Sequence, residues 1–231
     1  MRAFRKLLLR ALLAPSLTAA LFAQTTSVNP GINASYLKEG LIIEEWIERL
    51  GHEGREVYDN RQAIVDRLDL KPGMDVVDVG TGTGVHLPLL AAKVLPDGKA
   101  YAVDIVPKFL AHIDAQAKTH AWTNVETVLC TERSVSLPAN SVDVAFICNV
   151  YHHFEYPVDS LASIHAALRP AGRLVLVDYK RIPGVSADWM LQHMRAGQAV
   201  FEQEISAAGF TKTKEITDLF KDNYFVIFTK R

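Results

Sequence analysis

Val76-Val77-Asp78-Val79-Gly80-Thr81-Gly82-Thr83-Gly84 is the stretch that decides the fold. A run of β-branched residues meets three glycines separated by single threonines, and a helical apolar pattern begins at Gly84. The run reads as a buried strand entering a tight turn at the start of a helix. A second strand pattern, Ala100-Tyr101-Ala102-Val103, follows and ends on Asp104. In an open α/β sheet the ligand lies beyond the carboxyl ends of the strands, so Asp104 is placed to accept hydrogen bonds from ribose hydroxyls.

The spacing of the glycines narrows the ligand. The dinucleotide fingerprint G-x-G-x-x-G would need glycine at position 85, where Val85 stands. A phosphate-binding loop would need Gly-Lys-Ser/Thr, which does not occur here. The pattern is instead G-x-G-x-G with Asp78 two residues ahead. An acid beside the turn suits an amine or a positive sulfur better than a pyrophosphate.

Outward from the turn, strand and helix patterns alternate. Strands are expected at 74–79, 99–105, 125–130, 142–149 and 173–179, and helices at 84–95, 107–119, 157–169 and 186–208. The strands are continuous apolar runs, as when helices cover both faces, so the chain reads as a doubly wound parallel α/β sheet. Near the end, a run at 211–216 and Tyr224-Phe225-Val226-Ile227-Phe228 stand too close for a parallel crossover and suggest an antiparallel pair. Upstream, Leu41, Ile42, Trp46, Ile47 and Leu50 define an amphipathic helix over 36–50, and a second helix is expected at 55–68. Polar, turn-rich residues 24–35 read as a linker.

The 231 residues suffice for one domain with a helical cap. The formal net charge of −1, with Lys and Arg scattered, gives no electrostatic footprint for nucleic acid. Arg2, Arg5, Lys6 and Arg10 precede an uncharged run from Ala11 to Ala23, of signal-peptide length and too short to span a bilayer. Cleavage after Ala23 would make the protein exported. The four leader cations removed from 25 leave 21 against 26 acidic residues, a net charge of −5. The division expected is 1–23 signal peptide, 24–54 linker and first helix, and 55–231 the catalytic domain. An uncleaved leader would be the only membrane contact; without a leader the protein would be cytoplasmic.

Asp78-Val79-Gly80-Thr81-Gly82-Thr83-Gly84, Asp104, Leu137-Pro138-Ala139-Asn140-Ser141-Val142-Asp143 and Leu168-Arg169-Pro170-Ala171-Gly172-Arg173-Leu174 together resemble class I S-adenosylmethionine-dependent methyltransferases, over about 55–180. The likeness is to the branch with small-molecule, quinone and lipid methylating members. It implies a Rossmann-like seven-stranded sheet of order 3-2-1-4-5-7-6 with strand 7 antiparallel. It also implies S-adenosylmethionine as cofactor, its methionyl part held by Asp78, Gly80, Thr81, Gly82 and Gly84 and its ribose by Asp104. Ile105 and Val106 would flank adenine, with Glu132 or Thr131 the acid-position candidates. Asn149 would contact the amino-acid end. The same strand order separates Cys130 from Cys148 by three strand spacings, about 14 Å, so two free thiols packing as small hydrophobes are expected. That separation argues against a thiol-lined, arsenic-methylating pocket.

Chemistry is expected after the fourth strand, at Tyr151-His152-His153. On an extended segment neighbouring side chains point opposite ways, so only one His could face the acceptor as a base; His153 shares a side with Tyr151. Asp178, Tyr179, Lys180 and Arg181 are candidates for the pocket rim. Arg55, Tyr58 and Arg61 form a stripe from which Tyr58 and Arg61 could cover the cofactor's carboxylate. His193 and Arg195 could line the acceptor site. No metal is assigned. The expected activity is methyl transfer by in-line displacement to a small-molecule or lipid-like acceptor. The rivals are a nucleoside-binding protein without catalysis and, disfavoured by Val85, a nicotinamide oxidoreductase.

Overall fold

The computed structural model describes residues 24–231; the expected signal peptide at 1–23 lies outside them. Seven strands form one sheet: β1 (Val76–Val79), β2 (Ala100–Asp104), β3 (Val125–Leu129), β4 (Val142–Cys148), β5 (Leu168–Tyr179), β6 (Phe210–Ile216) and β7 (Asn223–Lys230). Their order is β3-β2-β1-β4-β5-β7-β6. The first five run parallel, and β7 pairs antiparallel with both β5 and β6, as expected. The helices are α1 (Ile43–Leu50), α2 (Glu56–Asp59), α3 (Arg61–Arg67), α4 (Leu87–Val94), α5 (Pro107–Thr119), α6 (Pro157–Ala167), α7 (Asp188–His193) and α8 (Gln198–Ala207).

Burial on both sheet faces explains the unbroken apolar strands. Val76, Phe146 and Val175 join Ile64, Leu87 and Leu90 in one core, while Val77, Ile147 and Leu176 join Leu161, Ile164 and Phe201 in the other. At the amino ends of β1 and β4, the Arg169 guanidinium forks to Asp75 at 2.7 Å and Asp143 at 2.6 Å. Two parallel charge-assisted bonds of this kind fix the register of three chain segments at once.

Four sequence expectations are corrected. The helix expected at 186–208 is two, because Arg181 takes the carbonyls of Leu191 and Met194, both at 2.9 Å, and Gly197 opens the next helix extended. The helix expected at 55–68 breaks at Asn60, whose side-chain amide donates to the Glu56 carbonyl at 2.9 Å. The first helix begins at Ile43 rather than 36, residues 31–36 forming turns. β5 begins at Leu168, inside the helix expected to reach 169, and Arg169-Pro170-Ala171-Gly172 bulge from its pairing with β4, Ala171 taking φ +62°.

Residues 24–35, expected as a linker, form a strap laid over the carboxyl ends of the strands. Ser27 donates to the Glu155 carboxylate at 2.7 Å and the Val28 amide to the Glu155 carbonyl at 2.9 Å. Asn33 donates its amide to the His153 carbonyl at 3.1 Å. Beyond the strap, Leu41 and Trp46 pack on Val106 and Phe109. Among the described residues no helix is long and apolar enough to cross a membrane.

Candidate active site

The glycine turn is built by close approach. Gly80 has φ +69°, and a Cβ there would lie 2.3 Å from Val150 Cγ1, so only glycine lets the end of β1 meet the loop after β4. The Gly82 amide donates to Asp104 Oδ2 at 2.9 Å, and the Val106 amide donates to Asp104 Oδ1 at 2.9 Å. Thr81 donates its hydroxyl to Asp78 Oδ2 at 2.9 Å. Gly84 is placed differently from the expectation. It stands close against Ile113 of α5, outside the cavity wall.

Beyond these strand ends lies a cavity of about 140 Å³. Asp78, Gly80, Thr81, Gly82, Asp104 and Ile105 stand in its wall, as do Val106, Thr131, Glu132, Asn149 and His153. Burial pushes the Asp78 carboxyl up to about 7, with the Thr81 hydroxyl opposing and Asp104 adding to the rise. Burial likewise raises Asp104 to about 6, against the backbone amides that hold its charged form. Two buried carboxyls without a salt-bridge partner among the described residues favour a ligand that brings positive charge. Glu132 is raised too, first by partial burial and then by Glu155.

Asn149 supplies a second sign of a ligand. It turns the chain out of β4 with φ +53°, a left-handed conformation that asparagine tolerates better than most residues. Both its side-chain amide atoms are buried without a partner among the described residues. His86 Nε2 is equally buried and unpartnered, its ring edge-on to Phe146 and its pKa lowered by burial to about 3. Unsatisfied polar atoms aimed into a cavity mark where a polar ligand completes the hydrogen bonding.

The segment after β4 is a 3-10 turn, Tyr151–His153, not an extended strand, so alternation does not decide which His faces the cavity. Only His153 of the two is in the wall. His152 is buried, its Nδ1 2.7 Å from Asp178 Oδ1, with its backbone amide also donating to Asp178 at 3.2 Å. Tyr151 is corrected from wall to core. It is fully buried between the rings of Phe154 and Phe201, and its hydroxyl donates to Glu204 at 2.8 Å. His153 is lowered to about 2, first by burial, then by His152 and His193, so its imidazole is neutral and weakly basic. A base so far below working pH contributes little proton transfer, which weakens the catalytic reading of His153.

The polar stripe resolves onto one residue. Arg55 reaches the wall beside Leu50, while Arg61 stacks on Tyr58 at 4.2 Å, and neither Tyr58 nor Arg61 lines the cavity. Lys180 and Arg181 are spent on backbone carbonyls, and Asp178 on His152; of the expected rim, Tyr179 remains beside Trp189 and His152. Arg195 pairs with Glu204 at 2.6 Å in the shell around Tyr151. His193 does come to the site, its Nε2 3.2 Å from His153 Nε2.

Both cysteines are free and pack against the core clusters, yet both also reach the cavity wall, where the expectation kept them from sharing a pocket. Burial raises Cys130 to about 12 and raises Cys148 strongly, so both stay protonated and poorly nucleophilic. Asn33, Tyr36, His86 and Glu155 are wall residues the sequence reading did not select. His86 could have been found by following the glycine turn into the next helix. Asn33 and Tyr36 carry no local signal, because they arrive by tertiary folding of the strap.

Residues 77–176 match the family model described as methyltransferase domain. Among curated proteins, the chain is 29% identical over 137 residues to nocamycin O-methyltransferase of Saccharothrix syringae, covering 59% of this chain and 49% of that protein. It is 24% identical over 118 residues to the ubiquinone/menaquinone biosynthesis C-methyltransferase of Bordetella parapertussis, covering 51% and 45%. The chain therefore spans under half the length of these relatives. A solved structure of a SAM dependent methyltransferase from Aquifex aeolicus superposes with a TM-score of 0.73 at 24% identity, covering 83% of this chain and all of that one, and carries the likeness of fold.

Proposed function

We propose that this chain, whose residues 77–176 match a methyltransferase domain, binds S-adenosylmethionine and transfers its methyl group to a small-molecule or lipid-like acceptor. One observation carries the reading. The buried carboxyls of Asp78 and Asp104 and the unpartnered amide of Asn149 converge on one cavity, and among the described residues neither carboxyl forms a salt bridge.

The residues present fit that cofactor. Asp104, held by two backbone amides, keeps lone pairs for ribose hydroxyls. Asp78 and Asn149 would hold the amino group, and Arg55 the carboxylate. Ile105, Val106 and Val135 supply apolar surface for an adenine ring. When bound, the cofactor supplies an electrophilic methyl group on a positively charged sulfur. The chain then has to align the acceptor and exclude water, which can supply most of the rate of an in-line displacement. Tyr36, Phe154 and His153 also stand in the wall and would meet the acceptor.

Calorimetry with S-adenosylmethionine, S-adenosylhomocysteine and NADH tests the binding. Binding of the first two and not the third is expected, and Asp104→Ala should weaken it at least about tenfold, the scale of one lost hydrogen bond to a charged group. NADH binding alone would overturn the reading. A second reading, nucleoside binding without transfer, is favoured by the neutral, weakly basic state of both wall imidazoles, His86 and His153. Stoichiometric S-adenosylhomocysteine formation from labelled cofactor and an extract of small molecules separates the two. We also propose export of residues 24–231 after cleavage at Ala23; N-terminal sequencing of the fractionated protein tests it, and an intact Met1 in the cytoplasm would refute it.

A further inference from the structure

His152, His153 and His193 each turn one ring nitrogen toward a common point, the three atoms lying within 4.8 Å of one another. The rings pack at centroid distances of 4.4, 5.1 and 4.9 Å. Two of the three follow β4 directly, and the third ends α7, so the cluster joins that helix to the end of the central sheet. His152 is the fixed member. Its Nδ1 is 2.7 Å from the carboxylate of Asp178, which is wholly buried at the end of β5. With Nδ1 donating its proton to that carboxylate, Nε2 is the nitrogen left to act as a ligand. His153 and His193 approach each other through Nε2 at 3.2 Å.

We propose that these three histidines bind a divalent transition ion of the zinc class, with Asp178 orienting His152 behind it. Three imidazoles are the donor set such ions take, with a fourth position left for water or another ligand. A carboxylate bonded to the far nitrogen of a ligating histidine is the usual support of such a site. One pair already has the spacing: Zn–N bonds of about 2.0–2.1 Å in a tetrahedron put ligand nitrogens about 3.3–3.4 Å apart, close to the 3.2 Å between His153 and His193. The set as a whole lies within 4.8 Å, so the remaining ring closes in when an ion binds. A hydrogen bond would also account for that one pair. It leaves His152 Nε2 without a protein partner among the described residues and gives no reason for a third ring to converge. The set holds no carboxylate or carbonyl ligand, which excludes the oxygen-seeking ions Ca²⁺ and Mg²⁺. Since His153 stands in the cavity wall, the ion would fasten α7 to the loop that follows β4.

The site does not depend on the methyl-transfer reading, and its test uses neither cofactor nor acceptor. The full chain, stripped with a chelator, is titrated with Co²⁺, whose visible d–d bands are intense in tetrahedral and weak in octahedral coordination. Intense bands saturating at one ion per chain, abolished by Zn²⁺, with a raised melting temperature, are expected. His193→Ala, at the partly exposed end of a short helix, should weaken binding at least about tenfold, while His120→Ala, on the exposed end of α5, should leave it unchanged. Circular dichroism of the metal-free variants reports whether each stays folded. Weak octahedral bands, no saturation in the wild-type chain, or equal affinity in a folded His193→Ala chain would each overturn the proposal.

Discussion

Asp78 shows how one buried side chain couples stability to ligand binding. Its folded pKa, about 7 through burial, stands above the ordinary carboxyl value of 3.8. Between those values the folded chain holds a proton that the unfolded chain has lost, so stability is highest below the unfolded pKa and falls as pH rises toward 7. Each pKa unit corresponds to about 1.4 kcal/mol, so Asp78→Asn should stabilise the ligand-free protein at about pH 8 by at least about 1 kcal/mol, measured by urea unfolding. The same substitution should weaken S-adenosylmethionine binding. A cationic ligand favours the ionised carboxyls, so wild-type affinity should rise between about pH 5 and about pH 8 as Asp104 and Asp78 lose their protons, with proton release in calorimetry. A flat affinity profile across that range, or a destabilised Asp78→Asn chain at about pH 8, would mean the carboxyls do not carry the site.

At the scale of elements, the break between α2 and α3 decides which cation reaches the ligand. Arg55 opens α2, its guanidinium donating to the Leu50 carbonyl at 2.8 Å and standing in the cavity wall. Arg61, in the next helix, donates to the Tyr58 carbonyl at 2.8 Å and stacks on its ring. Arg55→Ala should therefore raise the dissociation constant of S-adenosylmethionine about tenfold or more, as expected for a charge-assisted bond, while Arg61→Ala should change it less than about twofold. Calorimetry on both variants checks the contrast, and the reverse order would return the stripe to its sequence reading. The sheet was legible because β-branched runs, glycine spacing and connection lengths are local signals, and so was the position of Asp104 at the end of the strand beside the glycine turn. The helix ends were not, since α7 stops where Arg181 captures its carbonyls and α3 starts where Asn60 caps α2. Tyr151 was misplaced for a related reason. A 3-10 turn after β4 rotates it into the core, and only the tertiary partner Glu204 reveals that its hydroxyl is already used.

Across the whole molecule, the strap ties chain ends to the site. Its anchors are polar: Ser27, Val28 and Gly31 on Glu155, and Asn33 on His153. Tyr36 is the apolar contribution, packed on Trp46 at 4.4 Å with the rings tilted by 32°, and edge-on to His153 at 5.3 Å. A second long-range tie is firmer, with the Glu56 carboxylate accepting from the backbone amides of Lys221, Asp222 and Asn223 and thereby joining α2 to the start of β7. The difference predicts where the molecule opens. A cavity of about 140 Å³ falls short of the about 300–1,000 Å³ typical of small-molecule sites, so a nucleoside needs the strap to move and α2 to stay. Segments held by few apolar contacts and half-exposed hydrogen bonds open at low free energy. Amide hydrogen exchange should therefore be fast over residues 27–37 in the ligand-free chain, slow when S-adenosylhomocysteine is bound, and unchanged by ligand over 221–230. Glu155→Gln removes the charge from the strap's main anchor, and should speed exchange over 27–37 further with little change in global melting temperature. Equal protection of 27–37 with and without ligand would show instead that the cavity fills by another route, and that the strap is a fixed part of the wall.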